Sequence, residues 1–281
     1  MLRKITRKTF TIRESGRSTD FITPSFGFGC VYDCLYCYMK RHKANGIDIS
    51  NNANDILTAI NNHVTWLPEK VPNQTGDLWT YDISCNEDFA AHAKHHNWQY
   101  IFDYFVNNPR CSASLATKTV PKVFLNYNPL RKVRIRFSLM PQIISNVLEP
   151  NTALIIDRIK AIDTFISAGY DVHINFSPIV VFDNWLKYYA ELFKLVNANV
   201  KNKHLVKCEC IFLTHNESKH NKQINKHGES LLWTPGNQEP KISNYGGNNI
   251  RYKHTLKSQY IQQFTQLHNE YISWCDIRYI F

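Results

Sequence analysis

The densest chemistry in this sequence is Cys30-Val-Tyr-Asp-Cys34-Leu-Tyr-Cys37-Tyr38, a C-x3-C-x2-C run that puts three of the eight cysteines on one short stretch. Thiolates this close on a loop can hold three irons of a single [4Fe–4S] cluster. The fourth iron then lacks a nearby protein ligand and is open to an exogenous chelating molecule. Zinc is the competing occupant. Structural zinc sites usually show two separated ligand pairs, although His42 could complete a four-ligand set here. A second candidate is Cys85, at the end of a strand-like run, where barrel folds place their chemistry. A thiol holds its hydrogen weakly and can quench a carbon radical; the bland alternative is a small buried hydrophobe. Cys111, Cys208, Cys210 and Cys275 carry no such pattern, and Cys208 and Cys210 alternate along a predicted strand as core or helix-facing residues.

The elements that must position these groups alternate. An apolar stretch, 21–28, leads into the cysteine run. Ile56, Ile60, Val64 and Leu67 have helical spacing within 54–67, with Asn54 or Asp55 at the cap. Strands are predicted at 78–83, 113–119, 133–139, 171–176 (ending at Pro178) and 206–213, and helices at 98–106, 152–168 and 185–196. Gly169 stops the helix over 152–168. Strand–helix units of roughly 30 to 40 residues imply a parallel sheet, and roughly six fit before residue 225. The expected architecture is therefore α/β: an open, partial (β/α)6 barrel of the TIM type over 1–225. A polar stretch, 216–249, follows. A helix over 256–268 and a strand over 277–281 complete a small C-terminal appendage, 226–281, expected to pack on the barrel and to add to nucleic-acid binding.

Composition narrows the function classes. At 43% hydrophobic and 13% aromatic residues, the 281-residue chain can bury a core, which excludes a disordered or fibrous protein. Lys plus Arg number 33 against 23 acids, a formal charge of +10 that favours an anionic partner, nucleic acid before membrane surface. No run approaches the ~20 apolar residues of a membrane helix, and no apolar core follows the basic residues 1–13 as a secretory signal requires. Clustered cysteines in a chain this long point to a reduced, cytoplasmic compartment and a metal site rather than disulfides.

The cysteine spacing, an aromatic before the third cysteine and the following partial barrel resemble the radical S-adenosylmethionine (SAM) superfamily. Within it, the sequence resembles the spore photoproduct lyase family over most of its length. The likeness is carried by Cys34-Leu-Tyr-Cys37-Tyr38-Met-Lys; by Tyr81-Asp-Ile-Ser-Cys85-Asn-Glu-Asp88; and by Arg134-Ile-Arg-Phe-Ser138 with Glu149-Pro150 and Ala168-Gly169-Tyr170. It continues through Ser177-Pro178-Ile179, Asp183-Asn-Trp185, Tyr189-Ala-Glu-Leu-Phe193 and a tail from Tyr245-Gly246 to Phe281.

The resemblance implies a [4Fe–4S] cluster on Cys30, Cys34 and Cys37, with SAM on the unique iron and an electron donor such as flavodoxin or ferredoxin. The 5′-deoxyadenosyl radical made from SAM would abstract hydrogen from a thymine-derived base in DNA. Cys85 stands where the family keeps its hydrogen-donor thiol. Tyr36 and Tyr38 match tyrosines that help return hydrogen to the cofactor, Tyr36 also lying on the cofactor side; shielding of the cluster from water is their plainer role. Lys118 matches a lysine that pairs with the SAM carboxylate, and Ser138 a serine that contacts SAM. Extracting a base needs a basic groove, for which Lys241, Gly246-Gly247, Arg251, Tyr252 and Lys253 are the expected DNA contacts.

Three departures stand out. The sequence starts 29 residues before the first cluster cysteine, without the family's long N-terminal extension. Asn86 and Glu87 follow Cys85 where the family has small hydroxyl residues, and the stretch between Cys37 and Cys85 looks longer. They fit a relative with a different thymine-derived substrate, such as a radical SAM isomerase in thymine hypermodification of phage or other DNA. A non-catalytic DNA-binding protein with a structural metal is a further alternative.

Overall fold

The structure, a computed structural model, describes residues 2–37, 39, 46–216, 232, 236–242 and 248–281. Its N-terminal strands are β1 (Leu2–Ile5), β2 (Arg13–Glu14), β3 (Phe21–Ile22), β4 (Gly27–Phe28) and β5 (Ile47–Ser50). There follow α1 (Ala53–Trp66), β6 (Trp79–Asp82), α2 (Trp98–Asn107), β7 (Cys111–Thr117), β8 (Val133–Ser138), α3 (Gln142–Leu148), α4 (Ile155–Ser167) and β9 (Asp171–Ile179). The C-terminal part holds α5 (Trp185–Asn199), β10 (Lys207–Phe212), β11 (Thr214–Asn216), β12 (Gln238–Ile242), β13 (Asn248–Tyr252), α6 (His254–Ile272) and β14 (Ile277–Ile280).

The main sheet runs β14-β10-β9-β8-β7-β6-β3-β2, parallel throughout except for the antiparallel edge pair β2–β3. It curls into a half-barrel, the partial TIM-type architecture expected from the alternation. β3 through β10 supply the six expected strands, and β14 adds a seventh in parallel register with β10. β1 and β4 flank β5 in a small sheet, and β11, β13 and β12 form an antiparallel one. The expected boundary near residue 225 falls outside the described residues.

Helices cover the outer face because each buries one stripe. α1 buries Ile56, Leu57, Ile60 and Val64, and α2 buries Trp98, Ile101, Phe102 and Phe105, spaced three and four apart. β8 and β9 are buried on both faces, as central parallel strands must be.

α5 and α6 run on past their expected ends, to Asn199 and Ile272, and three further boundaries differ from expectation for reasons the hydrogen bonds give. The helix over 152–168 begins only at Ile155, because the Ala153 amide donates to Lys118 O at 3.0 Å and the Thr152 hydroxyl to Glu149 O at 2.8 Å. β7 stops at Thr117 rather than 119, since Asp88 takes the Thr117 hydroxyl at 2.8 Å and the Lys118 amide at 2.9 Å. β9 continues through Pro178, with Ile179 O accepting from the Leu213 amide at 2.9 Å. Gly169 does end α4: it sits at φ +93, and a Cβ there would strike Asn128.

Candidate functional site

The cysteine run leaves β4 and is tied to three separate parts of the chain. The Gly29 amide donates to Asn86 O at 3.1 Å, just beyond Cys85. The Val31 amide donates to His92 Nε2 at 3.3 Å, and the Leu35 amide donates to Leu148 O, at the end of α3, at 2.9 Å. Cys37 N–H donates back to Cys34 O at 3.1 Å, closing a turn. Cys34 is buried, Cys30 and Cys37 are half-buried, and burial pushes the Cys34 thiol up to about 12. Such a thiol ionises only against a cation or metal.

Two buried carboxylates hold this loop. Glu87 accepts from His92 Nδ1 and His96 Nε2, both at 2.9 Å, and its side chain is almost wholly out of solvent. Burial opposes its charge, but the two imidazoles keep its pKa below the ordinary value. Gly27 leaves room for it: a Cβ there would collide with the carboxylate. Glu149 accepts the Tyr36 hydroxyl, and Arg158 Nη1 donates to it at 3.0 Å. Lys118 Nζ lies 3.9 Å from Glu149 and 5.7 Å from the Tyr36 ring centroid. Burial works against the Lys118 charge, yet Glu149 and Cys34 outweigh it and raise its pKa. Lys118 and Tyr36 are thus brought together with the cysteine loop, and the one O–H of Tyr36 is committed to Glu149. Tyr38 and His42 lie outside the described residues.

The inner wall of the half-barrel is polar. Arg136 on β8 reaches Asp82 on β6 at 2.7 Å and Glu209 on β10 at 3.4 Å, each two strands away in opposite directions. Only the concave side of a curled sheet allows that span. Arg134, Arg136 and Ser138 alternate along β8, so they share this side, as do Asp171, His173 and Asn175 in register on β9. Ser138, at the C-terminal end of β8, accepts from Asn175 Nδ2 at 3.4 Å, and its carbonyl accepts from Arg158 at 2.8 Å. Among the described residues, Ser114 Oγ, Arg136 Nε and Asn175 Oδ1 are buried on this wall without a hydrogen-bond partner. Unpaired buried polar atoms are costly, and a bound polar ligand relieves them. Cys85 stands just past the C-terminal end of β6, half-buried, with Arg13 Nη2 3.7 Å from its sulfur.

The C-terminal residues divide. Lys241 is exposed on β12, and Arg251 on β13 is paired with Glu239 at 2.8 Å. Lys253 caps α6. Tyr252 corrects the expectation of a DNA contact: it is 1% exposed, and its hydroxyl accepts the Val181 amide at 2.8 Å. β13 reads as a polar hairpin strand, but its last residue turns inward against Phe212 and Tyr260. Burial, then Lys241, Arg251 and Arg17, lower the pKa of Lys257. These four cations form the basic patch, whose members Arg17 and Lys257 sequence reading missed. Gly246 and Gly247 lie outside the described residues.

His92, His96 and Arg158 were also missed: each lies within nine residues of its carboxylate, but the spacing follows no helix or strand period, and Glu87 stood out only as a departure from the family's pattern. Glu149 was visible as part of a matching stretch, but without a role.

The sequence profile described as Spore photoproduct lyase matches residues 3–281. The Spore photoproduct lyase of Clostridium acetobutylicum is 25% identical over 182 residues, 63% of this chain and 52% of that protein. That of Bacillus subtilis (strain 168) is 25% identical over 197 residues, 68% of this chain and 55% of that protein. The chain thus spans about half the length of the curated relatives it matches. A solved Spore photoproduct lyase complexed with dinucleoside spore photoproduct superposes with a TM-score of 0.88 at 18% identity, covering 100% of this chain and 82% of that one. A variant with bound AdoMet and dinucleoside spore photoproduct gives 0.88 at 17% identity over the same shares of the two chains. With this profile match running almost end to end, the chain belongs to the spore photoproduct lyase family.

Proposed function

We propose that this protein is a radical SAM enzyme that acts on a thymine-derived base in DNA, holding a [4Fe–4S] cluster on Cys30, Cys34 and Cys37 and using Cys85 as hydrogen donor. The donor set fits the cluster. Among the described residues, only Cys208, His268 and Cys275 bring three ligand atoms within 4.8 Å, so the loop thiols do not converge as ligands of one ion would. Three thiols spread on one loop suit a cluster, where each takes a different iron. When bound, the cluster and SAM supply a 5′-deoxyadenosyl radical able to abstract hydrogen from carbon.

The chain's own residues do the rest. Lys118, 3.9 Å from Glu149 beside the cysteine loop, offers a cation to the SAM carboxylate, and Ser138 a hydroxyl at the mouth of the polar wall. Cys85 gives a hydrogen atom to a substrate carbon radical and becomes a thiyl, and Arg13 positions its sulfur. Return of that hydrogen falls to Tyr38 in this reading, and to Tyr36 only when its hydroxyl leaves Glu149. Arg17, Lys241 and Lys257 track the DNA backbone, and Arg251, already paired with Glu239, adds less. An electron donor of the flavodoxin or ferredoxin class supplies the reducing electron. The observation that carries the reading is the Gly29–Asn86 hydrogen bond at 3.1 Å, which seats the cluster loop directly against the Cys85 segment at the barrel mouth.

The departures at Asn86 and Glu87 are absorbed in the scaffold. The Asn86 amide donates to the Ser25 hydroxyl, and Glu87 is buried between its two histidines. They do not favour an isomerase over a lyase. The test is product analysis by mass spectrometry, after anaerobic incubation with SAM and reductant, on DNA containing spore photoproduct and separately on DNA with substituted thymines. Restored thymine pairs from the first substrate are expected. Rearranged product from the second, with none from the first, would replace the lyase reading by the isomerase.

A further inference from the structure

The outer face of β10 carries a cluster that the proposed reaction does not use. Cys208 and Cys210 flank Glu209 and point opposite to it, in register with Ile174 and Phe176 of β9. α6 covers them, burying Phe264, His268 and Ile272 at a spacing of four. At its end the Cys275 amide donates to Ile272 O at 2.9 Å. The chain then turns into β14, with Asp276 O accepting the Cys208 amide at 2.9 Å. The ligand atoms of Cys208, His268 and Cys275 consequently lie within 4.8 Å of one another, all buried. Cys208 Sγ is 3.6 Å from His268 Nε2 and 3.8 Å from Cys275 O, and Cys210, buried two residues along the same face of β10, is the next thiol to this group.

We propose that Cys208, His268 and Cys275 bind a structural zinc ion, with Cys210 as the fourth ligand, clamping the C-terminal helix and strand to the half-barrel. Thiolate and imidazole donors select zinc among common divalent ions, and a closed four-ligand set is the structural form. Zn–S and Zn–N bonds of about 2.3 and 2.05 Å at tetrahedral angles put sulfur and nitrogen about 3.6 Å apart, the separation that Cys208 and His268 show. His268 Nδ1 lies 3.4 Å from Asn269 Oδ1, a contact that holds the ring with Nε2 toward the Cys208 sulfur. Binding converts three thiols to thiolates and releases three protons, with no redox change.

The site lies across the sheet from the polar wall, so it is distinct from the cysteine loop. Its effect reaches that wall through β14, whose Arg278 and Tyr279 donate to Glu209 at 2.9 and 2.7 Å. A clamp at Cys275 fixes the start of that strand.

The test is metal analysis of full-length protein grown with zinc sulfate, freed of iron, and dialysed. About one zinc per chain is expected, retained in the combined Cys30→Ala, Cys34→Ala and Cys37→Ala variant and lost in Cys275→Ser. Cobalt(II) added to zinc-free wild type should give thiolate-to-metal charge transfer and intense tetrahedral visible bands. This second readout holds even if Cys275→Ser fails to fold. Folded wild type that takes up neither metal overturns the proposal. So does zinc that disappears with the loop cysteines, or a Cys208–Cys275 disulfide in the unreduced protein's mass spectrum.

Discussion

The Gly29 amide donates to the Asn86 carbonyl at 3.1 Å, so the residue before the first loop cysteine and the residue after Cys85 are hydrogen-bonded neighbours. The cysteine loop and the candidate hydrogen donor are therefore one unit at the mouth of the half-barrel. Yet Cys85 has a separate polar partner, Arg13, and is not drawn into the loop itself.

That separation makes the two functions dissectible. Cys85→Ala should keep about four irons per chain and lose no more than ~1 kcal/mol of stability, since the thiol is half-buried. 5′-Deoxyadenosine should still form, while the substrate radical, lacking its donor, is quenched by small reductants into abnormal products. The measurement is the product spectrum of both proteins beside a melting curve for each. An unaltered repair product in the variant would remove Cys85 from the mechanism.

Glu149 is the joint between loop and barrel, since Tyr36, Arg158 and Lys118 all converge on it. Glu149→Gln leaves the fully buried Arg158 without its counter-charge, a loss of about 3–5 kcal/mol read in denaturant unfolding. Tyr36→Phe removes one hydrogen bond and should cost only ~1 kcal/mol. Both variants should lower iron occupancy, Glu149→Gln the more. Wild-type iron content and stability in Glu149→Gln would show that the loop is held without this carboxylate.

What could be read from the chain follows from how local the signal is. The candidate cluster cysteines stand out because they are neighbours in sequence, and the barrel is legible because each element repeats its own periodicity. α3 escaped notice: a short helix opening after Pro141 has too few turns to show a stripe. Arg134, Arg136 and Ser138 fall at alternate positions of a strand that was predicted, but only the curl of the sheet makes them an inner wall. Cys208 with His268 and Cys275 is assembled by tertiary structure alone, and Glu87 meets histidines five and nine residues on through irregular turns that leave no periodic signal. Tyr252 misled for the same reason, because its burial depends on Val181 far away in the chain.

His173 makes the protein acid-sensitive. Its Nδ1 accepts from Arg278 at 3.3 Å and its Nε2 donates to Asp171 at 3.3 Å, so the neutral ring satisfies both neighbours. Burial lowers its pKa from 6.5 to about 4, with Asp171 opposing that shift while Arg134 and Arg278 add to it. The unfolded chain takes up the proton first. The contribution is whole above pH 6.5 and is lost as pH falls toward 4, up to about 3 kcal/mol in all and roughly 2 by pH 5. His173→Gln, whose amide can accept from Arg278 and donate to Asp171, should flatten the fall in stability between pH 7 and 5. Equal slopes in wild type and variant would assign the acid limb to other groups.

The basic patch gives a prediction about salt. Lys257 is half-buried beside Lys241, Arg251 and Arg17, and Arg17 and Lys257 both lie over the Phe281 ring, at 3.8 and 5.3 Å. Glu239 neutralises Arg251, which leaves Arg17, Lys241 and Lys257 as the cations best placed for phosphate. Each phosphate contact on duplex DNA contributes about 0.9 to the slope of log K against log salt. Replacing the three together with Ala should therefore flatten the slope by about 2 to 3 and weaken binding alike on all sequences. Arg251→Ala alone should change it far less, because its charge is already paired. Fluorescence anisotropy with a labelled duplex from low to physiological salt measures both. A triple variant with the wild-type slope would move the DNA to another face of the protein.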